Sequence, residues 1–167
     1  MKYIIVTAFI LSSFGLSLAQ TNHNNNSDLL NKLTGPWQMT GHVMKKPVEY
    51  KAEGKWILND QFFRFTMADV NMPPQYEAQI FFGYDSAKTG YVVHWLDVFG
   101  GEYSKILGFG KVAADTIKIL FKFGDRPFRD IISLNKKQNT GQFLIEYKNA
   151  EGNWKEFARY KMVRLEK

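Results

Sequence analysis

The chain contains no cysteine, no helical periodicity beyond its first few dozen residues, no Gly-x-Ser-x-Gly and no phosphate loop. The missing cysteine excludes disulfide frameworks, Cys-ligated zinc, iron–sulfur clusters and thiol nucleophiles together. The missing Gly-x-Ser-x-Gly, with no supporting Ser-His-Asp order, disfavours a serine hydrolase. The basic charge is not concentrated anywhere. A formal +6 over 167 residues is spread through Lys45-Lys46, Lys118, Lys122, Arg126, Arg129, Lys136-Lys137 and Arg159 to Lys167. A nucleic-acid site would need a compact basic patch with exposed aromatics, so none is expected, and attraction to an anionic envelope surface is weak at most. What the chain has in quantity is rings: 14 Phe, 8 Tyr and 4 Trp. Such rings favour half-buried pleated surfaces, and the length suits one core rather than two.

The first segment reads as an address. Met1-Lys2 gives a positive start, Ile4 to Leu11 is almost wholly apolar, and Ser17-Leu18-Ala19 places small residues before a cut ahead of Gln20. This is the pattern of a cleavable secretory signal over residues 1–19. Ser12, Ser13 and Gly15 break the apolar stretch well short of the roughly 20 residues that a membrane span needs, so stable membrane insertion is not expected. No cysteine follows the cut to carry a lipid, and removal of the segment takes away one base, Lys2, and no acid. The expected setting is secreted or periplasmic. Residues 20–28, QTNHNNNSD, have no apolar side chain to offset their ordering entropy and read as a flexible leader. His23 there is expected to be inert, and Asn25-Asn26-Ser27 is read as a chance match to a glycosylation sequon.

From residue 29 onward the chain reads as one domain. Ser27 can cap a short helix through Leu33, stopped by Gly35-Pro36. Ten period-two patterns then follow, beginning at Trp37, Tyr50, Phe63, Tyr76, Tyr91, Tyr103, Ile117, Phe128, Phe143 and Ala158. Hairpin-sized turn signals separate them, such as Asn59-Asp60, Pro73-Pro74, Gly100-Gly101 and Gly124-Asp125. With no room for crossover helices, the expectation is an all-β domain: a single antiparallel up-and-down β-barrel of about eight to ten strands, with a two-sheet sandwich as the alternative. The alternation describes a filled barrel and a hollow one equally well.

Gly35-Pro36-Trp37, after a short helix and at the start of the first strand, resembles the Gly-x-Trp opening of lipocalins and other calycin barrels. In that family a basic side chain from the last strand lies over the indole, and Arg164, on the same face as Tyr160 and Met162, is the candidate partner of Trp37. The chain also resembles a family of secreted bacterial lipocalin-like proteins of unknown function over most of Leu29 to Lys167. The residues that carry this are Trp56 to Phe63, Gly83-Tyr84-Asp85, Tyr91, His94-Trp95-Leu96-Asp97, Gly108 and Arg159 to Arg164, with Gly-Tyr-Asp followed by Trp-x-Asp the most specific part. The resemblance implies a barrel and an extracytoplasmic setting, and supplies no reaction and no catalytic residue. The nitric-oxide-binding haem relatives of such barrels use a histidine near the C-terminal end; none follows His94, so neither haem nor any other cofactor is expected.

Spacing tests the remaining chemistry. His94 and Asp97 are three apart, which on a strand puts them on opposite faces, and His42 is distant, so no metal site is expected. Asp85 to Gly90 starts and ends like a calcium loop but has Ala and Lys where oxygen ligands belong. Gly108-Phe109-Gly110 lacks the strand-to-helix context of a dinucleotide loop and is better read as strand glycines at a bend. Asp97 and Asp130 fall on the inward register, where a carboxylate is costly unless paired or solvated. A structural, hydrogen-bonded Asp near a rim is favoured there over catalysis. The candidate cavity residues are Tyr50, Trp56, Phe65, Tyr76, Trp95, Asp97, Asp130, Tyr147 and Tyr160, for a small apolar or amphipathic ligand. The alternatives are an envelope interaction module built on a filled barrel, and, third, an enzyme using the cavity carboxyls. No catalytic residue is assigned, and the oligomeric state is not legible.

Overall fold

A computed structural model describes residues 28–135 and 137–166. The expected signal, His23 and Asn25-Asn26-Ser27 lie outside the described residues. A short helix, α1 (Asp28–Leu33), leads into ten strands: β1 (Gly35–Val43), β2 (Lys46–Ile57), β3 (Phe62–Asp69), β4 (Glu77–Asp85), β5 (Gly90–Asp97), β6 (Gly108–Ala113), β7 (Thr116–Phe121), β8 (Phe128–Asn135), β9 (Thr140–Lys148) and β10 (Trp154–Arg164). Asp28, grouped with the leader on composition, is the first residue of α1.

Each strand pairs antiparallel with its neighbour in sequence, and β1 pairs with β10, so the sheet closes into a barrel. Closure satisfies the backbone groups that an open sheet of this length would leave at its two edges, which is why a sandwich is not needed. Hairpin turns make the order possible. Met44 and Lys45 join β1 to β2 with φ of 47° and 67°, the left-handed turn whose twist matches that of the strands.

One end of the barrel is sealed. Leu29, Leu30 and Leu33 of α1 are buried, each contributing about 2 kcal/mol of apolar burial. The helix can lie this close because residue 54 is glycine: a Cβ there would stand 2.2 Å from the Leu33 carbonyl oxygen. Trp37 Nε1 donates to the same carbonyl at 2.9 Å. Arg164, level with Trp37 across the closing seam, places its guanidinium 4.4 Å from the indole ring and donates to the carbonyls of Thr34, at 2.6 Å, and Lys32. One side chain thus ties the last strand to the helix end and to the first strand.

Above this base the interior is packed. Phe63, Phe65, Phe82, Met39, Met67 and Ile80 are fully buried, and Phe143 closes the same layer from the opposite wall. The barrel therefore has a filled lower body, and a larger space opens towards the other end, where the β3–β4, β5–β6 and β7–β8 connections lie.

The sixth strand is displaced from its expected position. The alternation of Tyr103, Lys105, Leu107 and Phe109 predicts a strand over those residues, but residues 101–107 form turns and irregular chain, and β6 begins at Gly108 with Phe109 on the outer face. The reason lies in the neighbouring strand. Ile119 and Phe121 fill the space in front of β6, and a Cβ at Gly108 would come within 2.7 Å of the Phe121 ring. Only glycine positions can face them. β5 and β6 share just three register pairs, from Tyr91↔Gly110 to Val93↔Gly108, so the wall is notched above Val93. His94 bridges the notch from outside, its Nε2 lying 2.8 Å from the Ser104 carbonyl oxygen.

Arg164→Ala is expected to lower stability by about 2–3 kcal/mol in urea unfolding, because two helix-end carbonyls and the indole face lose their partner at once. Arg164→Lys should recover only part of this, since an ammonium cannot stack and reach both carbonyls together. An unchanged midpoint in Arg164→Ala would show that the base is held by leucine burial alone.

Candidate functional site

The open end carries a cleft of about 760 Å³, an ordinary size for a small-molecule site. Val48 and Tyr50 of β2, Asp69 at the end of β3, Val70, Tyr76 ahead of β4, and Phe99 after β5 line it. A second recess at the base, beside Trp37 and Arg164, is only about 90 Å³.

Rings form the cleft floor. The centroids of Tyr50 and Tyr76 are 5.7 Å apart, and Tyr76 and Phe99 are 5.9 Å apart. Behind Tyr50, Tyr160 lies at 5.6 Å, and Phe143 continues the chain of contacts at 5.8 Å. Trp95 packs on Phe143 at 6.1 Å. The strand period turns Tyr50, Trp95, Phe143 and Tyr160 inward, and the connections ahead of β4 and after β5 bring Tyr76 and Phe99 to them.

Two aspartates pin the loops that complete the cleft. Asp69 accepts the backbone N–H groups of Asn71 at 2.9 Å, Gln75 at 2.6 Å and Tyr76 at 2.8 Å. Partial burial works to raise its pKa, and these three donors outweigh it, holding the carboxyl below its ordinary value. Asp97 accepts the N–H of Phe99 at 3.0 Å and the hydroxyl of Tyr76 at 3.5 Å. It is a hydrogen-bonded rim aspartate, on the face opposite His94. The phenols are held neutral. Burial raises the pKa of Tyr76, with Asp97 adding to it, and burial raises Tyr160, with Tyr50, Tyr76 and Asp130 adding. Tyr50 is raised by burial and then by Asp69.

Asp130 is different. It sits on β8 between Ile119 and Ile145, is only 3% exposed, and accepts no hydrogen bond from any described residue. Burial alone pushes its pKa up to about 8, so at neutral pH it is a protonated acid facing the interior beyond Tyr160.

The other expected cavity residues are placed elsewhere. Trp56 is inward in register but at the sealed end, donating to Asn31 Oδ1 at 2.7 Å and packing on Phe63 at 5.4 Å. Alternation defines a side of the strand and says nothing about height. Phe65 is fully buried in the packed body, and Tyr147 packs on Phe128 at 6.1 Å, on the wall away from the cleft. Of the cavity candidates only Tyr50 and Tyr76 line the cleft, and among the lining residues that the sequence reading missed, Asp69 and Phe99 carry its charge and its outer ring. Asp69 is the next inward position after Phe63, Phe65 and Met67, so the signal was present; Phe99 lies in a loop, where no period points to it. Asp85 behaves as a turn residue, accepting the N–H groups of Ala87 and Lys88 at 3.1 and 3.2 Å.

The architecture defines a closed, ten-stranded, up-and-down antiparallel β-barrel with one sealed end. No family model and no curated protein matches the chain. Among solved structures it is similar to the crystal structure of Rv2717c from M. tuberculosis, with 12% identity and a TM-score of 0.53 over 85% of this chain and 98% of that one. At this identity the likeness shows the barrel fold alone.

The pKa of Asp130 has a definite consequence for stability. Its folded value, about 8, stands above the unfolded value of about 3.9. Below about pH 4 both states are protonated and nothing is lost; between there and about pH 8 only the unfolded chain releases the proton, costing about 1.4 kcal/mol per pH unit; above that the loss levels off. Asp130→Asn should therefore become progressively more stable than the native chain as pH rises from 5 to 8, in paired thermal melts. Parallel melting curves at every pH would show that the carboxyl is not held neutral.

Proposed function

We propose that this protein is an exported, lipocalin-like carrier that binds one small apolar or amphipathic molecule in the cleft at the open end of its barrel. The observation that carries the reading is the cleft itself: about 760 Å³, floored by Tyr50, Tyr76 and Phe99, with a few fixed polar groups at its edge. The packed body below means that the ligand occupies the mouth rather than a deep central cavity. Phe99 is 66% exposed, an apolar ring left in water unless something covers it. The Gly-Pro-Trp opening with Arg164 over Trp37 supports the lipocalin-like reading, and the first 19 residues support export.

An interaction module is the second reading, favoured by one observation. Met72, Val98, Phe99, Tyr103 and Leu107 are all exposed on loops of the same end. The enzyme reading gains nothing from the site, where Asp69 and Asp97 are engaged in holding loops.

The test is a fluorescence titration with N-phenyl-1-naphthylamine, a neutral apolar probe. Saturable binding at one site per chain is expected, and Phe99→Ala should weaken it about five-fold, the value of one lost aromatic contact. Absence of saturable binding to the native chain would overturn the carrier reading and leave the interaction module.

A further inference from the structure

The chemistry of the cleft narrows what it binds. The chain has 22 basic and 16 acidic side chains, yet neither Lys nor Arg lines the cleft. Its lining carries two carboxyls, Glu49 and Asp69, with the phenols of Tyr50 and Tyr76; Lys46 and Lys155, level with Val43 and Tyr147 at the open ends of β2 and β10, are exposed and lie outside that lining. Arg164, which is also inward, stands at the opposite end, already donating to two carbonyls and covering Trp37. In a chain of net positive charge, the lining of this cleft thus carries carboxyls and no base.

The rings add a second, independent preference. Tyr50, Tyr76 and Phe99 are tilted rather than stacked, with interplanar angles of 52° and 47°, so their faces do not cover one another. Aromatic faces carry negative electrostatic potential and hold cations, most effectively those too bulky or too weakly hydrated to be held tightly by water. The three backbone donors to Asp69 keep its carboxyl charged at the rim, and Asp97 stands on the far side of Tyr76. An anionic ligand would meet carboxylates, with no base in the lining to compensate them.

Resting on the carrier reading, we infer that the ligand is an organic cation: an ammonium group, seated against the Tyr50, Tyr76 and Phe99 rings beside Asp69, on an apolar body. The charge is met at the rim and by the ring faces, and the apolar part covers Val48, Val70 and the exposed face of Phe99. Asp130, close enough to Tyr160 to act on it electrostatically, adds a field of the same sense when it ionises.

Three probes of one chain length decide this: decyltrimethylammonium, 1-decanol and decanoate, each competing with N-phenyl-1-naphthylamine on the native chain. The cation should displace the dye at a concentration at least ten-fold below that of 1-decanol, with decanoate the weakest. Added sodium chloride should weaken the cation and leave the alcohol unchanged. In Tyr76→Leu, which keeps apolar volume and removes a ring face, the cation should lose at least five-fold while 1-decanol stays within two-fold. If the alcohol binds as tightly as the cation, or decanoate tighter, the inference falls and the carrier reading stands. If the dye itself does not bind saturably, both fall. The native-chain series decides even if Tyr76→Leu fails to fold.

Discussion

The seam between the first and last strands is the constraint on which everything else rests. Ten antiparallel strands leave two free edges unless β1 meets β10, and that meeting fixes which residues stand level across it. Trp37 and Arg164 come opposite one another only in this register. Once they do, the guanidinium has carbonyls of the helix end within reach and an indole face beneath it. The helix then closes the base, the leucines it carries become core, and a barrel that might have been an open tube acquires a floor. The floor lets the aromatic body pack to completion from one end.

That packing decides where function can reside. A closed barrel invites the idea of a central cavity, but Phe63, Phe65, Phe82 and Phe143 are fully buried and pack the interior at mid-height. Polar chemistry is displaced to the mouth, where strands end and loops begin. There Asp69 and Asp97 each tie down the loop that follows with their carboxylate oxygens. Asp130, buried and accepting no hydrogen bond from the described residues, is the exception, a polar group that weakens the fold as its environment becomes more alkaline.

Period-two alternation made most of this architecture readable before any coordinates. It located nine strands well, because each shows apolar residues on one face and solvated ones on the other, and it identified Tyr50, Tyr76, Trp95, Asp97 and Tyr160 as inward. It failed where the deciding information lies on a different strand. Tyr103, Lys105 and Leu107 alternate as well as any strand does, and only the bulk of Ile119 and Phe121 moves the sheet onward to Gly108. It also carries no height, which is why Trp56, a base residue, was indistinguishable from a mouth residue. Phe99 lies outside any period at all, so the ring that completes the cleft floor could be found only in three dimensions.

The glycine face of β6 has a consequence for how this chain can vary. Gly108 and Gly110 contribute no side chain to the interior, so that sector of the wall takes its whole thickness from Ile119 and Phe121 one strand away. The two strands behave as one packing unit in which volume is lent from one side only. A larger residue at 108 is tolerable when 121 shrinks in the same step, and a smaller residue at 121 opens a void that β6 cannot fill without giving up its glycine. Change in this part of the barrel is therefore expected in pairs, while the mouth loops, which share no such debt, are free to change singly.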